Sequence, residues 1–408
     1  MLFLASSFGR SIAHPKLGTV FGIMMQVRSH VQITGHIANL TQRLQNTFTQ
    51  TLYVLFPMPN TWSQMLAETI KRAHQQPFRA VIFLRSEHKI TAFLETVLHN
   101  HAVANGTQSL HVILHWQLQQ VTQLCKCLKC LHFLEDLELI LPHLSPPHWV
   151  HLLHDLRFPR LDLLQTNAPH SIVATFLKLH NDLVYLSIKA CGRTKRPCPL
   201  GQMQLSNLRD TSGPLGCIVT LTQHSPVSRV SAQLSFVMDH DPVVTSTLTL
   251  TLLMVADNIT VLELEFGPMD VNVLECIASN TPALRSLKLV EIKSTMMSRI
   301  SHRRAWKSAE EWGKTLRRLT FLQNFALCTS IAVTPIPGDI NREYRLVSQW
   351  GGCKTPHPTL RHVILWYLYG TLQDHMTYWN WWWLDREHCW SRWEQTNRFD
   401  SPDSSLFV

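Results

Sequence analysis

The chain has 408 residues, of which 45% are hydrophobic and 16% are charged. This composition supports a large buried core and excludes a wholly disordered chain. The 37 basic and 28 acidic residues give a formal net charge of +9, which is moderate for this length and disfavours nucleic acid as a partner.

The amino-terminal segment is poor in acidic residues. Its first 67 residues contain no Asp or Glu and only four basic residues, Arg10, Lys16, Arg28 and Arg43. An acid-poor start is one property of mitochondrial transit peptides, but so few basic residues favour a cytoplasmic or nuclear protein instead. No run of about 18 apolar residues occurs, so the sequence predicts no transmembrane helix. We assign residues 1–75 to this irregular segment.

Ten cysteines are spread along the chain: Cys125, Cys127, Cys130, Cys191, Cys198, Cys217, Cys276, Cys328, Cys353 and Cys389. Most stand among apolar residues, where a reduced thiol behaves as a small hydrophobic side chain. Reduced cysteines are typical of the cytoplasm and nucleus.

One cysteine cluster has the composition of a zinc site. Cys125, Cys127 and Cys130 form a CxCxxC motif that His132 follows, and thiolate and imidazole are zinc ligands. The paired CxxC knuckles of common zinc sites are absent, and Leu124 and Leu128 share the spacing of an apolar helix face. We therefore interpret this stretch as an ordinary helix.

The strongest pattern in the sequence is a recurring LxxLxL motif. Its copies are Leu134, Leu137, Leu139; Phe158, Leu161, Leu163; Leu183, Leu186, Ile188; Ile259, Leu262, Leu264; and Leu284, Leu287, Leu289. The middle positions Leu137, Leu161 and Leu186 are 24 and 25 residues apart, and Leu262 and Leu287 are 25 apart. These intervals fall within the range of leucine-rich repeats, which is about 20–29 residues.

Looser copies extend the pattern in both directions. They are Leu316, Leu319, Phe321 and Leu360, Val363, Leu365 downstream, an early copy at residues 110–114 centred on Ile113, and a degenerate copy around Leu234 and Phe236. Helical apolar spacing occurs between motifs, at residues 170–179 and 271–278. The chain is therefore predicted to form an α/β leucine-rich-repeat-like solenoid over residues 76–370, with strand-helix repeats of about 25 residues.

The alternative fold is an ordinary α/β domain with a doubly wound sheet, which also alternates strands and helices. Such a domain commonly carries a glycine-rich phosphate-binding turn after a strand. The sequence contains neither GxGxxG nor a Walker A motif, which favours the repeat.

Two basic clusters are candidates for contact with a partner. The first contains Arg193, Lys195 and Arg196, after a predicted repeat strand; the second contains Arg303 and Arg304, ahead of a predicted helix near residues 306–316. The apolar stripe Trp306, Ala309, Trp312 and Leu316 favours a packed helix with its charges in water. Glu310 and Lys314 are spaced to form an i,i+4 ion pair.

The carboxyl-terminal segment, residues 371–408, is rich in tryptophan. It contains Trp379, Trp381, Trp382 and Trp383, which we predict to cap the last repeat, since the open end of a solenoid must be covered. The alternative is a partner interface, because buried aromatics dominate interface energetics. These four tryptophans are therefore also candidate partner-binding residues.

No residue is assigned to catalysis, to a cofactor or to a metal. The clusters His151, His154, Asp155 and Asp239, His240, Asp241 lack the spacing of a known site and are interpreted as solvated side chains. The sequence thus favours a protein that is not an enzyme. The alternative is a small hydrolase or transferase whose nucleophile and base come from distant segments.

The sequence resembles the fungal, basidiomycete-type F-box proteins with leucine-rich repeats. The resemblance rests on FRAVIFLRSE at residues 78–87, on the LxxLxL copies, on AEEWGKTLRRLTFL at residues 309–322 and on the tryptophan-rich end. It implies a non-catalytic protein-interaction scaffold that presents substrates to a cullin-type ubiquitin ligase, whose linker subunit an F-box binds. The Leu-Pro-x-Glu-Leu opening of an F-box is absent, so no linker-binding residue is assigned, and residues 1–75 are at most a degenerate F-box-like region.

Overall fold

The computed structural model describes residues 51–54, 79–114, 120–189, 198–234, 252, 258–268, 270, 272–292, 308–329, 333–334, 339–351, 357–369, 376–384 and 390–394. These residues divide into two compact units, one up to Leu161 and the other from Asp162 onward. Each unit combines a sheet of neighbouring strands with helices in the connections between them. Among the described residues, no helix is both long and apolar enough to cross a bilayer.

The first unit has four parallel strands in chain order: β1 (Thr51–Val54), β2 (Arg79–Leu84), β3 (Thr107–Ile113) and β4 (Asp136–Ile140). Its helices are α1 (Glu87–His99), α2 (His101–Gly106), α3 (Val121–Cys130) and α4 (Pro146–Leu153). Asn100 caps α2, because its side-chain oxygen accepts the N–H groups of Ala102 and Val103. A register shift follows Ala80 where β2 pairs with β3.

The second unit has eight parallel strands and two antiparallel ones. The parallel strands are β5 (Leu163–Thr166), β6 (Tyr185–Ile188), β7 (Asp210–Pro214), β8 (Arg229–Gln233), β9 (Val261–Phe266), β10 (Ser286–Glu291), β11 (Asn324–Thr329) and β12 (His362–Tyr369); β13 (Met376–Leu384) and β14 (Trp390–Glu394) are antiparallel to their neighbours. Every strand lies beside the strand that precedes it in the chain.

Helices occupy the described connections of this unit: α5 (His170–Leu177), α6 (Leu215–Thr222), α7 (Val273–Asn280), α8 (Ala309–Leu316) and α9 (Ile340–Gly351), with a 3-10 helix at Pro199–Gln202 between β6 and β7. Successive helices pack side by side, α7 against α8 and α8 against α9. The doubly wound alternative requires a point where the strand order reverses, and the described strands of this unit contain none. Mostly parallel strands that alternate with helices are consistent with the predicted leucine-rich-repeat-like solenoid.

The core of the second unit contains two rows of inward side chains, one residue from each strand. Strand pairing aligns the first row, Leu164, Leu186, Thr211, Val230, Leu262, Leu287, Phe325 and Val363. Each of these is at most 2% exposed. The second row lies two residues further along and includes Leu264, Leu289, Leu327 and Leu365, each 0% exposed. No repeat could bury these side chains alone, so each strand depends on its neighbours.

The rows correct the register of several predicted motifs. In β5 the middle position is Leu164, which pairs with Leu186, and not Leu161. In β11 it is Phe325, whereas the predicted Phe321 is 56% exposed. In β3 it is Leu110, which pairs with Leu137, and not Ile113.

Two strands also stand where one degenerate copy was expected. β7 and β8 occupy this region, and their inward residues are Thr211 and Val230. Leu234 follows the end of β8, and Phe236 lies outside the described residues. The interval between first-row residues is therefore not a constant 25, but runs from 19 between Thr211 and Val230 to 38 between Phe325 and Val363.

The predicted helices agree better with the structure. The CxCxxC stretch forms α3, the stretch at 170–179 forms α5, and α7 begins at Val273, two residues after the predicted start. In α8, Trp312 and Leu316 are buried, and Glu310 pairs with Lys314 at 2.8 Å as predicted.

Candidate functional site

The outward positions of the strands form a second set of aligned side chains. Between the two inward rows, strand pairing aligns Gln165, Ser187, Ser212, Ser231, Glu263 and Lys288 on β5 to β10. All but Ser187 are partly exposed. Because side chains alternate along a strand, this polar row lies on the face of the sheet opposite to the buried leucines. We call it the outward row.

Ion pairs join neighbouring strands on this face. Lys288 Nζ lies 2.8 Å from Glu263 Oε1, and Arg229 Nε lies 3.4 Å from Asp210 Oδ1, in each case between residues that are directly paired in register. Burial would lower the pKa of Lys288, but the Glu263 carboxylate outweighs it and the pKa is raised. The face thus carries both signs of charge at fixed positions.

Glu265 adds a carboxyl group to the same face. Its Oε2 accepts the backbone N–H of Leu234 at 2.8 Å. Burial raises the pKa of Glu265, and the nearby Glu263 carboxylate adds to this effect.

The first unit has a corresponding outward row. The rings of Phe83 and His111 stack with centroids 4.4 Å apart, and His111 Nδ1 lies 2.7 Å from Glu138 Oε2. These three residues are paired across β2, β3 and β4. An aromatic and charged combination on adjacent strands is typical of side chains that contact a protein partner.

A second feature of the other unit is a cluster of one imidazole and two thiols. The donor atoms of His170, Cys198 and Cys217 all lie within 4.8 Å of one another. His170 and Cys217 are 3% and 5% exposed, and Cys198 is partly buried. In the described part of the chain, this is the group of three that could hold a metal ion.

Hydrogen bonds fix the orientation of the His170 ring. Its Nε2 lies 2.9 Å from the Lys189 carbonyl oxygen and its Nδ1 lies 3.2 Å from Cys198 Sγ. A carbonyl oxygen only accepts, so Nε2 carries a hydrogen and Nδ1 faces the sulfur. Hydrogen bonds from Cys217, from His170 and from the Leu200 backbone lower the pKa of Cys198 to about 4, although burial opposes this.

The repeat brings these three residues together. His170 is the first residue of α5, Cys198 precedes the 3-10 helix at Pro199–Gln202, and Cys217 lies in the first turn of α6. Each therefore begins the helical part of a successive repeat, after β5, β6 and β7. The intervals of 28 and 19 residues differ too much for a spacing motif, so the sequence reading missed the cluster; their shared place in the repeat is the signal that could have found it.

The three groups can bind a soft metal ion, form a disulfide or act as a nucleophile and base. The deep burial of His170 and Cys217 leaves little access for a substrate. An ion or a second sulfur needs much less space. The arrangement therefore favours binding of an ion or redox chemistry over group transfer.

The basic residues predicted to contact a partner lie outside the described residues. These are Arg193, Lys195 and Arg196 of the first cluster and Arg303 and Arg304 of the second. Asp239, His240 and Asp241 also lie outside them. Their role stays a prediction.

The tryptophans of β13 have different surroundings. Trp382 is 2% exposed, with its ring 6.0 Å from that of Tyr344 in α9, so its indole is packed inside the chain and not available to a partner. Trp383 is partly exposed. For Trp379 and Trp381 the structure gives the strand positions, opposite Trp366 and Ile364.

The other clusters singled out in the sequence lie in ordinary helical surroundings. Cys125 and Cys127 are buried in α3, where the Cys125 thiol donates to the His151 carbonyl oxygen and burial raises the pKa of Cys127. His154 and Asp155 pair at 2.7 Å after the end of α4, and both are exposed. Asp155 has a φ of 60°, a backbone conformation that suits the end of a helix.

Comparison with known proteins leaves the chain without an assigned family. No protein-family model and no curated protein matches it. Among solved structures, it is similar to a chain in the crystal structure of the Rad7 and Elc1 complex from yeast, with 12% identity and a TM-score of 0.34 over 84% of this chain and 91% of that one. The description of the fold therefore rests on the strand pairing itself.

Proposed function

We propose that this chain is a non-catalytic protein-interaction scaffold whose partner binds the outward face of the sheet. The carrying observation is the aligned outward row with its cross-strand pair Glu263 and Lys288. Regular strand spacing presents these side chains at fixed intervals. A rigid array of this kind loses little conformational entropy when a partner binds.

The charges on this face favour a partner with complementary charges and not a uniformly acidic one. Asp210, Arg229, Glu263 and Lys288 alternate in sign from strand to strand. Such patterns contribute mainly to the specificity and the rate of association.

The biological setting that we propose is recruitment of substrates to a cullin-type ubiquitin ligase. It rests on the resemblance of the sequence to F-box proteins with leucine-rich repeats. In this proposal the repeats bind the substrate, and residues 1–75 or another segment binds the linker subunit. The basic residues Arg193, Lys195, Arg196, Arg303 and Arg304 would add contacts to an acidic region of the substrate.

Photo-crosslinking locates the binding face. A photo-reactive amino acid replaces Ser231 in the outward row or, as a control, the exposed Glu311 in α8. We expect cross-links to a defined protein from position 231 and few from position 311. Cross-links from position 311 alone, or equally from both, would place the binding surface elsewhere.

A charge swap then tests the contribution of the row. The double variant Glu263→Lys, Lys288→Glu keeps the ion pair but exchanges the positions of its charges. We expect affinity for the cross-linked partner to fall on the order of tenfold, because like charges meet across the interface. The matched control, Glu310→Lys with Lys314→Glu, exchanges the exposed pair of α8 and should leave affinity unchanged.

Co-purification tests the ligase setting separately. The full chain and a chain without residues 1–75 are each mixed with a purified cullin linker subunit. Binding by the full chain alone supports the adaptor role. If neither chain binds, the ligase setting is wrong, whereas the scaffold proposal is still decided by the cross-linking result.

A further inference from the structure

We propose that His170, Cys198 and Cys217 form a zinc site that joins three successive repeats of the second unit. The three donor atoms come from the starts of α5, of the 3-10 helix at Pro199–Gln202 and of α6. The proposal is independent of the interaction function, because it rests on a buried cluster and not on the outward row.

The donor set suits zinc in both chemistry and spacing. Two thiolates and one imidazole are a known zinc combination, with Zn–S bonds of about 2.3 Å and Zn–N bonds of about 2.0–2.1 Å. Tetrahedral angles then place neighbouring donors about 3.5–3.8 Å apart. The distance of 3.2 Å between His170 Nδ1 and Cys198 Sγ, and the limit of 4.8 Å for the whole group, are close to these values. Small side-chain rotations are sufficient to bind the ion.

The His170 ring already has the orientation of a metal ligand. Its Nε2–H donates to the Lys189 carbonyl oxygen at 2.9 Å, so the lone pair of Nδ1 points toward the two sulfurs. A ligating histidine in proteins almost always donates its other N–H to a carboxylate, a carbonyl or water, which fixes the tautomer and raises the basicity of the ligand. This carbonyl contact is a second observation that points to an ion.

The surroundings support a site with an exchangeable position. The protein supplies three ligands, and three-ligand zinc sites complete the coordination with water or another small ligand. His170 and Cys217 are nearly inaccessible, whereas Cys198 is partly exposed, which gives an ion a path to the site. The ion would cross-link residues that are far apart in sequence and so stabilise the stacking of these repeats.

Metal binding is tested on the reduced, metal-free full chain. Zn²⁺ is titrated against a chromophoric chelator, and Co²⁺ is used as a spectroscopic substitute. We expect one tight site per chain, with a thiolate-to-cobalt charge-transfer band and the intense visible bands of tetrahedral cobalt. The melting temperature should rise with Zn²⁺ concentration, since the ion binds the folded chain.

Variants identify the ligands. His170→Gln, Cys198→Ser and Cys217→Ser should each weaken Zn²⁺ binding on the order of 100-fold, and the two cysteine changes should weaken the charge-transfer band. Cys276→Ser changes a partly exposed cysteine of α7 and is the matched control, with binding unchanged. Circular dichroism checks that each variant folds.

Three results would overturn the proposal. The first is wild-type protein that shows no thiolate-to-cobalt band, a result that does not depend on how any variant folds. The second is binding that persists in folded Cys198→Ser and Cys217→Ser. The third is a disulfide between Cys198 and Cys217, found by peptide mapping of protein purified under reducing conditions.

Discussion

Single buried histidines hold together parts of the chain that are distant in sequence. His357, 2% exposed, donates from Nε2 to the Leu316 carbonyl oxygen at 3.0 Å and accepts at Nδ1 the backbone N–H groups of Thr359 and Leu360, at 3.2 and 3.0 Å. It thus joins the end of α8 to the residues that lead into β12. The neutral ring is required, because a proton on Nδ1 would face two donors.

Acid should therefore destabilise this region through His357. Burial lowers its pKa below the unfolded value of 6.5, and the positive charge of Arg361 adds to the effect. The unfolded chain then binds the proton more readily, so the contribution of His357 to stability is complete above about pH 6.5 and is lost as pH falls through the folded pKa. Urea unfolding of the wild type across this range should show decreasing stability.

The variant His357→Asn measures this contribution. Above pH 6.5 it should lower the free energy of unfolding by about 1–3 kcal/mol, because buried hydrogen-bonding groups lose their partner. It should also reduce the dependence of stability on pH, whereas His224→Asn, at an exposed histidine, should change neither. An unaltered pH dependence in His357→Asn would assign the acid sensitivity to other groups.

Residue-scale detail was the part that the sequence could not predict. His170, Cys198 and Cys217 become neighbours only because three connections of different length return the chain to the same place in the repeat. The i,i+4 pair of Glu310 and Lys314 was predictable because helix geometry alone places these residues together.

At the scale of elements, helices α8 and α9 approach closely over β11. The rings of Trp312, Phe325 and Trp350 pack together, with centroids 5.4–6.2 Å apart. Gly313 permits this approach, since a Cβ at that position would stand 2.7 Å from the Gln349 carbonyl oxygen. Backbone at that distance can give way only if one helix moves.

Gly313→Ala should therefore destabilise the chain even though alanine is the better helix former by about 1 kcal/mol. We expect a net loss of about 1–3 kcal/mol in the free energy of unfolding, as for other overpacked cores. Gly267→Ala is the matched control, because nothing lies within 4 Å of its Cβ, and it should be neutral or slightly stabilising. Equal effects of the two changes would show that α8 and α9 tolerate separation.

The sequence predicted which elements form better than it predicted where the strands lie. Around β5 the residues Leu161, Leu163 and Leu164 fit two registers of the motif, and only the pairing with β6 decides between them. β7 was missed because Thr211 and Gly213 stand at its inward positions instead of leucine. Gly213 has a φ of 154° and its Cβ would lie 2.7 Å from the Ile188 carbonyl oxygen, so a larger residue would not fit there.

At the scale of the molecule, the second unit ends in a change of strand direction. β13 runs antiparallel to β12, and β14 to β13. Trp382 and Trp390 are 2% and 9% exposed, and the Trp390 ring packs against Gly351 at the end of α9. These contacts cover the last parallel strand, as expected for a cap at the end of a repeat array.

Removal of residues 371–408 tests the cap and the predicted boundary of this segment. We expect the free energy of unfolding to fall by at least about 3–5 kcal/mol, the effect of losing one buried tryptophan. Aggregation should also increase, because β12 becomes an open edge. A chain that lacks only residues 395–408 retains β13 and β14 and should be close to the full chain in urea unfolding. Equal stability of the two shortened chains would contradict the cap.

The contacts of His170 have a practical consequence for engineering. The ring bonds Lys189 and Cys198, so both ends of the eight-residue stretch 190–197 are anchored to one side chain. When the anchors are fixed, doubling the length of a flexible link costs only about 0.6 kcal/mol in closure entropy. A fluorescent reporter or affinity tag spliced between these anchors should thus be accommodated at little thermodynamic expense.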